Sequence, residues 1–204
     1  MSTNDPVDPV EEQDFDYAGS LSDPAEQEGG EHGPPEGDAA DGDERVLEAP
    51  APAAPQPIPA TCKRDFAAVH HSGTRQLSDI SLVVIHSTES NSARSSAEWF
   101  ANPNSNGSAH ILVDDRECYR TLDNTVIPWG APGANTRGFH IEHAGWAHWS
   151  TQDWLSHEQT LRRGAYKAAL HAGRFHIPLR WLAVDDLRHG RAGFVTHATG
   201  ACQR

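Results

Sequence analysis

The sequence predicts one α/β domain, a central mixed β-sheet flanked by helices, preceded by a disordered acidic tail. Three observations predict it. Sixteen of the 29 Asp and Glu residues fall in residues 1–60, where Arg45 is the single basic residue, so that stretch carries −15 and residues 61–204 carry +2. All six Trp and twelve of the thirteen His fall in residues 61–204, a span long enough for one hydrophobic core. Within it, short β-branched runs alternate with amphipathic stretches, the pattern of strands interleaved with helices.

The tail has only Phe15 and Tyr17 as aromatics and is rich in Pro, Gly, Ala and Glu. It cannot bury enough apolar surface to offset its ordering entropy, so disorder is expected. Residues 49–60, APAPAAPQPIPA, favour extended polyproline II and form a semi-rigid spacer. The expected organisation is therefore a tail and linker over 1–60 and a folded domain over 61–204. No run of about 18 apolar residues exists, which excludes a spanning helix. The first residues hold neither a basic n-region nor an apolar h-region, so no secretory signal is expected. The acidic balance points away from nucleic acid. Cys62, Cys118 and Cys202 include no C-x-x-C pair, and three cysteines predict neither a closed disulfide framework nor a thiolate zinc site. A reducing compartment is expected.

The elements follow in order. From Ile80, ISLVVIH is a continuous run of β-branched residues and Leu, a buried strand delivering His86 at its exit. Residues 92–101 carry Ala93, Ala97 and Phe100 at helical spacing, and Asn102-Pro103 stops them. AHILV at 109–113 and CYRTL at 118–122, joined by a polar turn, predict a β-hairpin. Residues 127–138, with three Gly and two Pro, predict a loop. FHIEHAG at 139–145 predicts a strand in which Phe139, Ile141 and His143 face one way and His140 and Glu142 the other. A helix is expected from Ser156, with Ser156 and Gln159 as a capping box, Leu161, Ala165, Ala168, Ala172 and Phe175 as its buried stripe, and Pro178 as its stop. GFVTH at 193–197 predicts a last strand ending on His197.

Chemistry concentrates on three of these residues. His86 and His197 each follow an apolar β-type run, a placement from which two imidazoles converge at a sheet edge, and imidazole is the commonest metal ligand. The bland alternative is a hydrogen-bonded structural histidine. Glu142 is a carboxylate inside an otherwise apolar strand, costly to bury unless paired or catalytic. Pairing with Arg137 is its alternative. The other histidines, His70, His71, His140, His143, His148 and His157 among them, show no pattern and are expected to be structural or exposed.

VVIHSTE, SAHILVDDRECYRTL, WGAPGANTRGFHIEHAG and FVTHA, in this order and spacing, resemble the zinc-dependent N-acetylmuramoyl-L-alanine amidases, the type shared by T7-like lysozymes, AmpD-like enzymes and peptidoglycan recognition proteins. The similarity spans residues 75–200 and is closest to amidase modules of actinobacterial phage endolysins. It implies a peptidoglycan recognition protein-like fold, Zn2+ as cofactor, and bacterial peptidoglycan as partner. It implies His86 and His197 as zinc ligands and Glu142, at the end of the strand usually written I-G-I-E, as the catalytic acid/base. His110 and Trp129 are implied at the substrate groove. Ala109 stands where some members place a Tyr, and the loop His of other members is missing.

The resemblance also implies a third ligand after His197. No Asp-Pro-Gly motif is present, and the chain ends seven residues on, so Cys202 is the candidate and the domain reads as truncated at its C-terminus. The implied activity is cleavage of the amide between N-acetylmuramic acid and L-alanine by zinc-activated water, in a monomer. The rivals are a peptidoglycan-binding module with an incomplete metal site and a cytosolic amidase of muropeptide recycling. Without a signal, the expected location is the host cytoplasm, with access to the wall through a holin pore, or the cytoplasm outright.

Overall fold

The structure, a computed structural model, describes residues 57–201. The tail, residues 49–56 of the spacer and Cys202 lie outside the described residues, and the expectations placed on them stand as stated. In chain order the elements are β1 (His71–Thr74), β2 (Leu82–Ser87), α1 (Ala93–Phe100), β3 (Ile111–Val113), β4 (Cys118–Arg120), β5 (Val126–Pro128), β6 (Gly138–His143), α2 (Thr151–Ser156), α3 (Glu158–Arg174), α4 (Val184–Arg188), β7 (Gly193–Thr196) and α5 (His197–Ala201). The main sheet runs β4-β3-β6-β2-β7. β3, β6, β2 and β7 are mutually parallel and β4 is antiparallel to β3, so this is the mixed sheet expected from the sequence.

Strand pleating divides the sheet into two faces. Val83, Ile111, Val113, Phe139 and Ile141 pack on one face with Ala168 and Ala172 of α3. On the other face, Leu82, Val84 and Val195 pack with Ala131 and Ala134 of the 129–137 loop and Leu187 of α4. Leu112 and Tyr119 on that side receive Ala93 and Ala97 of α1. The strands are parallel, so β2, β6 and β7 all end at one edge, where open α/β sheets place their ligands.

α1 starts where expected, with the Ser92 hydroxyl accepting from the Ser95 N–H as an N-cap. The hairpin 109–122 is present, with shorter strands. The loop over 127–138 is in part a strand: β5 pairs antiparallel with β1 in a separate two-stranded sheet. The Ser156 cap is also corrected. Ser156 closes α2, donating its hydroxyl to the Asp153 carbonyl, and the capping box belongs to Ser150 and Asp153 at the start of α2. α3 begins after His157, which makes no side-chain cap.

The buried stripe of α3 differs too. Ala165 is exposed, and Thr160, Arg163, Gly164, Lys167, Ala168, His171 and Ala172 face inward. Polar side chains occupy this face because each reaches a backbone carbonyl, a ring or, for Thr160, the Asp115 carboxylate at 2.8 Å. Lys167 Nζ donates to the carbonyls of Pro59 and Ala60 at 2.8 and 2.9 Å, and His171 stacks on Phe139 with ring centroids 4.0 Å apart. A buried cation is tolerable only with such partners. The cysteine expectation is overturned as well: Cys62 and Cys118 form a disulfide across 56 residues. It ties the segment leading into the domain to β4, beside the hydrogen bonds from Lys63 N to Cys118 O and from Arg120 N to Lys63 O.

Candidate metal and catalytic site

His86 and Glu142 are cross-strand neighbours on β2 and β6, and parallel pairing puts both side chains on the face away from α3. β7 pairs with the other side of β2, and α5 begins at His197 as β7 ends. The fold thus brings three sequence-distant residues to one point. His86 Nδ1 lies 3.0 Å from His197 Nδ1, and Glu142 Oε1 lies 3.9 Å from His86 Nδ1. His86 and Glu142 are buried, whereas His197 is exposed and leaves the cluster open on its side.

Glu142 has no arginine partner among the described residues. Arg137 bonds instead to Ser81 Oγ and to the carbonyls of Gly190 and Arg191. The Glu142 Oε2 is buried without a hydrogen bond among the described residues. Burial, with Glu89 nearby as a like charge, pushes the Glu142 carboxyl up to about 8. Burial pushes His86 well below the usual imidazole range, reinforced by neighbouring His140, His197 and His143. Both groups are therefore uncharged near neutrality in this metal-free arrangement, and their 3.9 Å approach is not an ion pair.

The His86 ring nitrogen away from the centre is already committed. His86 Nε2 lies 3.0 Å from His140 Nδ1. The Gly130 backbone lies beside the His197 ring. The two inner Nδ1 atoms face each other at the open side of the cluster. Two imidazole nitrogens this close can share one hydrogen or hold one cation. Nitrogens bound to one tetrahedral zinc at about 2.0–2.1 Å stand about 3.3 Å apart, close to the 3.0 Å found. His86 and His197 therefore suit two positions on one ion. A third donor is absent among the described residues, which contain no cluster of three or more His, Cys, Asp or Glu able to hold a metal. Cys202 is not among them.

The other expected residues sit elsewhere. His110 is fully buried, its Nδ1 accepting from the His140 N–H at 3.0 Å and its Nε2 3.1 Å from the Val126 carbonyl. Arg75 Nη2 also lies 3.2 Å from that Nε2, so both nitrogens are occupied within the fold and His110 braces the β6 strand from behind. Trp129 is half-buried at the rim, its Nε1 donating to Ser72 Oγ at 2.7 Å and its ring stacked on His70. It directly precedes Gly130, whose backbone meets His197.

Sequence reasoning missed His140 and Arg75. His140 is fully buried against His86, and its place two residues before Glu142 on the same face was the available signal. Arg75 is buried and donates to the carbonyls of Asn135, Thr136 and Gly138 at 2.8 Å each, with Asn124 O at 3.3 Å. It organises the loop over the site. No sequence signal marks it, because its acceptors are mostly backbone atoms, with His110 Nε2 3.2 Å from its Nη2.

The family model described as N-acetylmuramoyl-L-alanine amidase matches residues 66–202. No curated protein sequence matches the chain. Among solved structures, the Staphylococcus aureus hydrolase AmiA, solved in complex with its ligand, is similar at a TM-score of 0.56 and 17% identity, covering 71% of this chain and 68% of that one. PlyL is similar at a TM-score of 0.52 and 11% identity, covering 69% of this chain and 83% of that one. These likenesses bear on the fold, and the match over most of the folded region decides the family: the chain belongs to the N-acetylmuramoyl-L-alanine amidases, hydrolases of bacterial peptidoglycan.

Proposed function

We propose that the chain cuts the amide between N-acetylmuramic acid and L-alanine with Zn2+ held by His86 and His197, and with Glu142 as general base and acid. The observation that carries the reading is the pair of Nδ1 atoms 3.0 Å apart with a buried, unpartnered carboxyl 3.9 Å from one of them. Cys202 is the candidate for the third position. When bound, the ion would supply a water of lowered pKa and polarise the scissile carbonyl. The rest falls to the chain. Glu142, which the divalent charge beside it would return to the carboxylate, takes the proton of the attacking water and passes it to the departing L-alanine nitrogen. His197, exposed at the mouth, leaves the side through which the wall strand approaches.

The test pairs zinc stoichiometry by metal analysis with release of new L-alanine amino groups from purified walls. His86→Ala and His197→Ala are expected to lose the metal and the activity together. Wild-type protein that binds walls with near-zero zinc and releases no amino groups would favour the peptidoglycan-binding module instead.

A further inference from the structure

We propose that His140 is a positioning residue that fixes His86 as its Nε2–H tautomer and so aims the Nδ1 lone pair of His86 at His197. This rests on the zinc reading for its purpose but not for its geometry. His140 is fully buried on β6, its Nδ1 3.0 Å from His86 Nε2, with the two rings nearly parallel at 24° and centroids 5.0 Å apart. The other nitrogen of His140, Nε2, has the Ala134 carbonyl, which can only accept, as its neighbour: a Cβ on Gly138 would meet the two at 2.5 and 2.6 Å. That contact falls short of full hydrogen-bond geometry, but it offers the nitrogen no donor.

The consequence passes along the chain of nitrogens. Nε2 of His140 carries the hydrogen, so its Nδ1 is bare and can only accept. Nε2 of His86 must then donate to it, and His86 Nδ1 is left bare. A ligating histidine ordinarily gives this outer N–H to a carboxylate, a carbonyl or water. Here a second imidazole receives it.

The packing around His140 holds the ring to this one orientation. A Cβ on Gly130 would come within 2.4 Å of His140 Nδ1, and a Cβ on Gly138 within 2.5 Å of its Nε2. Both flanking positions are glycines, and no other residue leaves room for the ring. Its backbone is pinned as well: the His140 N–H donates to His110 Nδ1 at 3.0 Å, and the His140 carbonyl accepts from the His110 N–H at 3.1 Å.

The experiment reads the tautomer directly. Long-range 1H–15N spectra of the metal-free full-length chain, assigned with His86→Gln, are expected to show His86 as the Nε2–H form. His140→Leu removes the acceptor and is expected to mix the His86 tautomers and to weaken zinc chloride binding, measured by chelator competition, by roughly 10–100-fold. His140→Asn keeps an oxygen near the Nδ1 position and is expected to restore most of that affinity, with thermal melts reporting that both variants fold. A wild-type His86 found as the Nδ1–H form overturns the proposal, and so does a folded His140→Leu that binds zinc as tightly as wild type. Wild type that binds no zinc sinks the metal reading alone, because the metal-free tautomer still decides this one.

Discussion

Glu142 is buried beside two imidazoles with one oxygen unpartnered among the described residues, so its carboxyl oxygens are spent on nothing but the site. Glu142→Gln preserves shape and hydrogen-bonding capacity while removing the titrating group. Zinc content is expected to stay at the wild-type level while turnover falls by roughly 10²–10⁴-fold, the usual worth of a positioned acid/base. Metal analysis beside the amino-group release assay checks it, and full turnover in that variant would exclude the general base. At this scale the sequence was legible where the residue stands at a strand end or on a defined strand face. His86, His197 and Glu142 met that condition, and pleating alone set Glu142 opposite Phe139 and Ile141. His140 shares the face of Glu142, yet nothing in a single strand says which buried histidine will touch His86 on the next one. The surroundings of His110 were illegible for the same reason, since the backbone groups that meet it lie 16 and 30 residues away.

Elements were legible by period and illegible where tertiary partners override it. β2, β6 and β7 are apolar runs, and their boundaries moved only slightly. α3 presents Ala168, Ala172 and Phe175 of its expected stripe to the core, but Ala165 is exposed and the rest of the inner face is held by Arg163, Lys167 and His171 finding carbonyls and rings. Gly164 shows how closely this helix approaches the sheet: a Cβ there would lie 1.8 Å from His143 Nε2 and 2.5 Å from its Cδ2. His143 is buried on β6 with its Nδ1 3.2 Å from the His86 carbonyl, so it cannot swing away without disturbing the strand that delivers His86. Gly164→Ala is therefore expected to destabilise the domain by about 1–3 kcal/mol, as overpacking does, although alanine is the better helix former. Urea unfolding checks it, and a variant at least as stable as wild type would contradict the close packing. The disulfide acts between elements in the same way. Closing a loop of 56 residues constrains the unfolded chain by about 4 kcal/mol in the entropy model. Cys62→Ser with Cys118→Ser, or reduction, is expected to lower the unfolding midpoint while leaving the sheet intact by circular dichroism.

Across the whole molecule, burying imidazoles and one carboxyl around a common centre makes metal-free stability depend on pH in two opposite ways. Burial lowers His143 to about 4, and His86, His110 and His140 are also pushed well below the usual imidazole range. For each, the unfolded chain binds a proton near pH 6.5 that the folded chain refuses until lower pH. Stability therefore rises with pH from about 4 to 6.5 and is lost on acidification through that window. Burial raises Glu142 to about 8, so the folded chain holds a proton that the unfolded chain releases above about 4.5. Its contribution has the reverse sign, and stability falls as pH rises from 4.5 towards 8. Below pH 6.5 the several histidines outweigh the single carboxyl. At pH 6.5 the histidines of the unfolded chain are still half protonated, so the balance tips only near pH 7, where the metal-free domain is expected to be most stable, and it loses stability towards pH 8 as the carboxyl titrates. Denaturant melts in the presence of a chelator measure the profile, and Glu142→Gln is expected to flatten its alkaline limb while leaving the acid limb in place. Zinc should remove that limb as well, since a divalent charge beside Glu142 favours the carboxylate in the folded state. An alkaline limb that persists unchanged in Glu142→Gln would show that some other group, and not the acid facing His86, holds the proton.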